Sequence, residues 1–162
     1  MGVKDNFTAE EWKTLLRAPM LVSYAVAGAA PSDRDGYIQE MKAVADAISD
    51  SEERAAKDSL ISEVVAQIIS NAEDDERGAT EKISVGDTKD RALSNCREVA
   101  ALLQTKVSPQ EAEDYKRWLV AVAGRVAAAA KEGGFFGFGG TQVSESEAAT
   151  IDEIAASLGI QA

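Results

Sequence analysis

Residues 108–131 read SPQEAEDYKRWLVAVAGRVAAAAK. Ser108 and Glu111 stand at capping-box spacing, and Pro109 falls at the first helical position, where its missing N–H costs nothing. From there Tyr115, Trp118, Leu119, Val122, Ala123 and Val126 recur every three or four residues. That is the period of a helix buried along one face. A helix is predicted over about 109–131, and its apolar stripe needs other helices to cover it.

The stretches on either side repeat the pattern. Thr8 with Glu11 is a capping box, with Phe7 and Trp12 at the two staple positions around it. Ser49 with Glu52 and Ser144 with Glu147 have the same spacing. Leu60, Ile61, Val64, Val65, Ile68 and Ile69 form one apolar stripe. Ala92, Leu93, Cys96, Val99, Ala100 and Leu103 form a second, on a helix started by Asp87. Ile151, Ile154, Ala155 and Leu158 form a third, followed by Gly159 where a left-handed C-cap is wanted. Seven helices are predicted, over about 9–17, 19–30, 33–48, 50–72, 88–105, 109–131 and 145–158. Ile83-Ser84-Val85 is the only β-like tripeptide. The fold class is all-α.

The chain of 162 residues is expected to form one domain, 1–162, with about two-thirds of its surface buried. An internal repeat is expected within it. Ala25-Val26-Ala27-Gly28 recurs as Ala121-Val122-Ala123-Gly124, each copy in a small-residue helix. The helices that follow match in spacing: Met41, Val44, Ala45, Ile48 against Ile151, Ile154, Ala155, Leu158. The half-repeats are about 9–72 and 88–160, joined by the polar stretch 73–87, and small residues let the two central helices cross closely near a pseudo-twofold axis.

Composition removes many chemistries. There is no histidine, which excludes histidine-based nucleophile systems, a histidine general base and imidazole-held haem or zinc. One cysteine, Cys96, allows no internal disulfide and no thiolate cluster, and its place on an apolar stripe marks an inert core residue. A net charge of −11, from 17 basic and 28 acidic residues, argues against nucleic acid and against an anionic membrane surface. It favours cations or basic partners, or serves solubility. No signal-peptide pattern opens the chain, and no apolar run is long enough to span a bilayer, so a cytoplasmic location and no integral membrane segment are expected. Trp12 and Trp118 are expected to be core anchors.

Three stretches could carry function. The loop Pro31-Ser32-Asp33-Arg34-Asp35-Gly36, with Glu40 one turn on, places carboxylates where a hard cation could sit, though not at EF-hand spacing. The same acids would also suit the dipole of a first helical turn. Asp33, Asp35 and Glu40 are the candidate metal ligands, with Glu132 as their second-half counterpart; the cation would be Ca²⁺, Mg²⁺ or Mn²⁺, weakly held, and none is required. The stretch 132–140, EGGFFGFGG, is neither a P-loop nor a dinucleotide fingerprint. Phe135, Phe136 and Phe138 either dock a partner or fold back to plug the end of the bundle. The acidic run Glu73-Asp74-Asp75-Glu76 is a solvated connector or a place for a bound cation or basic partner.

The two units of helix, acidic or glycine-bearing loop and helix resemble the TerB-like (tellurite-resistance) family. The residues that carry the likeness are Ala29-Ala30-Pro31-Ser32-Asp33-Arg34-Asp35-Gly36 leading to Glu40, and Ala129-Ala130-Lys131-Glu132-Gly133 leading to Glu145 and Glu147. It spans roughly 15–48 and 109–160. Neither loop has Asp-Gly directly after its alanines, and the second carries an aromatic, glycine-rich insertion. The resemblance implies a seven-helix bundle with a pseudo-twofold and a non-enzymatic module in a stress-response or metal-linked context. That module would act through a protein partner or a homo-oligomer. The competing reading is a plain helical scaffold or oligomerisation protein with no cation site.

Overall fold

Phe7 lies against Trp12, ring centroids 5.9 Å apart, and this contact starts the first helix, α1 (Ala9–Ala27). Thr8 Oγ1 accepts from the Glu11 N–H at 3.3 Å, and Glu11 Oε2 accepts from the Thr8 N–H at 2.7 Å, as the capping box predicts. The structure is a computed structural model that describes residues 2–29, 34–75, 88–132 and 145–161; within those helices the side chains of 34–41, 75 and 130–132 are outside the description.

The sequence reading ends a helix before Pro19, and here it is corrected: α1 runs through Pro19. A proline inside a helix removes one N–H and crowds the carbonyl four residues earlier, that of Leu15. Tertiary structure supplies the missing donor. The Tyr115 hydroxyl, fully buried, donates to the Leu15 carbonyl at 2.7 Å, and Asn95 Nδ2 donates to the neighbouring Thr14 carbonyl at 3.1 Å. Ser23 Oγ donates to the Pro19 carbonyl at 2.6 Å.

A second correction concerns Ser49. Helix α2 spans Arg34–Arg54, so Ser49 and Glu52 lie inside it and cap nothing. The break falls at 55–59. Asp58 takes φ 63°, a left-handed conformation that an aspartate tolerates, and Ser59 Oγ accepts from the Ser62 N–H at 3.2 Å. Helix α3 (Leu60–Asp75) begins there, and Glu111 Oε1 accepts its first N–H, that of Leu60, at 3.0 Å. Glu111 thus serves the start of α3 from another helix, while Ser108 Oγ accepts from the Glu111 N–H at 3.2 Å.

Three more helices follow: α4 (Thr88–Lys106), α5 (Pro109–Glu132) and α6 (Glu145–Leu158). Gly159 ends the last at φ +78°, with Gly159 N–H donating to Ala156 and Ile160 N–H to Ala155, both at 3.0 Å. This is the Schellman pattern expected of that glycine. Among the described residues there are six α-helices, a 3₁₀ turn at Val3–Asn6, and no strand. No described helix is long and apolar enough to cross a membrane.

Helices α1 and α5 form the centre and pack on each other. On one flank α4 and α6 pair, with α4 against α1; on the other α2 and α3 pair, with α2 against α5. One core joins Leu15, Val22 and Val26 of α1 to Val64 of α3, Cys96 and Leu103 of α4, Leu119 of α5 and Ile154 of α6. The two expected halves therefore share a hydrophobic core. The repeated tetrapeptides do not match in position. Gly28 is the exposed C-cap of α1, whereas Gly124 is half-buried inside α5. Their burial patterns are offset by one residue, with Ala25 and Val26 buried in one copy and Val122 and Ala123 in the other.

Candidate functional site

The candidate ligands Asp33, Asp35, Glu40 and Glu132 lie outside the residues whose side chains are described, as do Phe135, Phe136 and Phe138. The backbone places Asp35 and Glu40 near the start of α2 and Glu132 at the end of α5. Among the described residues no group of three or more acids or cysteines is arranged to hold a metal ion.

Cys96 is buried against the α1 core, as its place in the stripe implies. Burial pushes its thiol up to about 12, which disfavours the thiolate that a nucleophile or metal ligand requires. Complete burial likewise holds the Tyr115 phenol well above its ordinary value, consistent with a hydroxyl committed to donating to Leu15.

Two concave surfaces flank α2. The first is an apolar groove of about 370 Å³ between α1, α2 and α3. Met20, Val44, Ile48, Ile68 and Ile69 line it, with Glu73 at one end. Two of its helices, α2 and α3, are acidic: α3 has no basic residue, and Asp46, Glu52, Glu53, Glu73 and Asp74 are exposed against Lys42 and Arg54, while α1 brings exposed Lys13 and Arg17 against Glu10.

The second is a cleft of about 240 Å³ between α2 and α5. Trp118 forms one wall. Its indole N–H donates to Ser51 Oγ at 2.7 Å, and Ser51 Oγ donates to the Ala47 carbonyl at 2.6 Å. Tyr115 backs the indole at a ring-centroid distance of 5.4 Å. Ala47, Ile61 and Val122 complete the apolar surface. At the mouth Arg125 Nη2 pairs with Asp50 Oδ2 at 3.0 Å, while Arg54, exposed at the last position of α2, has no ion pair among the described residues.

Trp118 was legible as a stripe residue, but it is half-buried at this cleft where a core anchor was expected; Trp12 is the core anchor, 5% exposed. Ser51, Arg54 and Arg125 carry no motif. The one local signal is the i, i+4 spacing of Asp50 and Arg54, which is common on any helix surface. Comparison with protein-family models, with curated proteins and with solved structures finds no match for this chain.

Proposed function

We propose that this protein is a non-enzymatic, acidic helical module that works by binding a protein partner, in the manner the TerB-like resemblance implies. The observation that carries the reading is the apolar groove between α1, α2 and α3, flanked on α2 and α3 by exposed charge that is mostly negative. Such a groove suits an amphipathic helix whose apolar side chains enter it and whose basic residues meet the acidic flanks. The absence of histidine from the whole sequence removes histidine acid–base and metal-imidazole chemistry, which leaves fewer enzymatic alternatives to this reading.

The internal repeat belongs to this proposal through the spacing in the sequence. The exchange it calls for, α1 with α5 and α2 with α6, would match the close packing of α2 on α5 with that of α6 on α1, which is slight. The tetrapeptide does not carry the relation either, because its two copies are out of register by one residue in burial.

The test uses a synthetic leucine–lysine amphipathic peptide and a leucine–glutamate counterpart, with binding followed by calorimetry. The basic peptide should bind with micromolar affinity and the acidic one should not. Ala72→Trp, at an exposed position of the groove, and Glu73→Lys should each weaken binding about tenfold or more. Binding that both substitutions leave unchanged overturns the reading and favours the plain scaffold. A cation held by Asp33, Asp35, Glu40 and Glu132 is part of the same proposal. Millimolar Ca²⁺, Mg²⁺ or Mn²⁺ should then raise the melting temperature, because a ligand of the native state must stabilise it. No shift with any of the three removes the cation.

A further inference from the structure

The cleft between α2 and α5 stands apart from the groove, on another face of α2. Its composition is unusual for this chain. In a protein of net charge −11, two arginines and one aspartate meet at the mouth of a concave, mostly apolar surface. Asp50 neutralises Arg125 in part, at 3.0 Å, and Arg54 is left with no ion pair among the described residues. The local balance is one positive charge.

The walls are preorganised. Trp118 is fixed at its N–H by Ser51, and Ser51 is fixed in turn by the Ala47 carbonyl. Both partners of the indole N–H bond are thereby satisfied, so the indole offers a ligand its ring and no donor. Ala47 and Ala121 leave the space into which larger side chains would have grown, and Ile61 and Val122 line its apolar surface. At about 240 Å³ the cleft lies below the range typical of drug-sized ligands, and suits a single ring with a short chain.

We infer that this cleft is a binding site for a small aromatic monocarboxylate, its ring against Trp118, Ile61 and Val122 and its carboxylate on the Arg54 guanidinium. A guanidinium pairs with a planar carboxylate through two parallel N–H donors, and an exposed arginine without a partner can do so at little reorganisation cost. One net positive charge matches a monoanion. A dianionic phosphate would face Asp50 at short range and the field of an acidic chain beyond it. Affinity is limited because the mouth is open to solvent, so half-saturation is expected at millimolar ligand.

The test follows the two tryptophan indole N–H resonances of the full chain by NMR during titration with 3-phenylpropionate. Trp118 should move saturably and Trp12, buried between α1 and its neighbours, should not. The neutral isostere 3-phenylpropanamide should bind about two- to fivefold more weakly, and so should Arg54→Gln with the carboxylate, which is the weight of one solvent-exposed ion pair. Arg54 is exposed, so that variant keeps the fold, and an unmoved Trp12 resonance verifies it. A Trp118 resonance that stays still, or that responds equally to acid and amide, overturns the site. So does a response to inorganic phosphate as strong as that to the carboxylate.

Discussion

Pro19 has helix on both sides because a side chain far along the chain does what its own backbone cannot. The Leu15 carbonyl has no N–H at residue 19 to accept from, and Tyr115 supplies an O–H instead at 2.7 Å. Tyr115→Phe keeps the ring and deletes that donor, leaving a buried carbonyl without it, at a cost of about 1–3 kcal/mol. Pro19→Ala restores the backbone donor. The two changes should therefore couple: in the Pro19→Ala background, Tyr115→Phe should cost less than about 1 kcal/mol. Urea denaturation of the four proteins measures the cycle. Equal losses in both backgrounds would show that the phenol acts through packing alone.

At the scale of elements, the N-terminal 3₁₀ turn shows how one carboxylate docks a segment. Glu63 Oε1 accepts from the Val3 N–H and Oε2 from the Lys4 N–H, both at 2.8 Å, while Lys4 Nζ donates to Gln67 Oε1 at 3.1 Å. A Cβ on Gly2 would stand 2.7 Å from Glu63 Oε1, so a larger residue there would make the carboxylate shift. Glu63→Gln keeps one acceptor oxygen where two are used. It should cost about 1–2 kcal/mol and increase amide exchange at Val3 and Lys4, with α4 unaffected. Unchanged exchange would mean that the turn is held by other contacts.

The same element scale shows what the sequence made legible. Thr8, Ser108 and Gly159 act on backbone groups within a few residues of themselves, so their spacing identified them. Ser59 was harder to find, because its partner at the third position is Ser62 and the glutamate that completes the start of α3 is Glu111, from α5. The interior Pro19 was missed for the same reason, its remedy lying at Tyr115. The cleft is a further case. Trp118 stood out in its stripe, but Ser51, Arg54 and Arg125 acquire meaning only once α2 lies on α5. The candidate acids and phenylalanines were chosen by composition, and they fall outside the described side chains.

At the scale of the whole molecule, Cys96 reports on cooperativity. It belongs to a core shared by five of the six described α-helices, so a reagent reaches it only when that core opens. Burial pushes the thiol up to about 12, whereas an unfolded chain holds it near 8.5. The folded state therefore keeps a proton that the unfolded chain gives up. The stability this contributes is intact below about pH 8.5 and is lost as pH rises towards 12, with Tyr115 acting in the same direction above about pH 10. Unfolding midpoints in urea should fall as pH is raised above about 9, and Cys96→Ala should fall less steeply. At about pH 8, alkylation of native Cys96 by iodoacetamide should be slow. Its rate should rise with urea along the slope of global unfolding measured by circular dichroism. Rapid labelling that ignores urea would mean that α4 opens locally, and that the two halves of the chain do not unfold as one body.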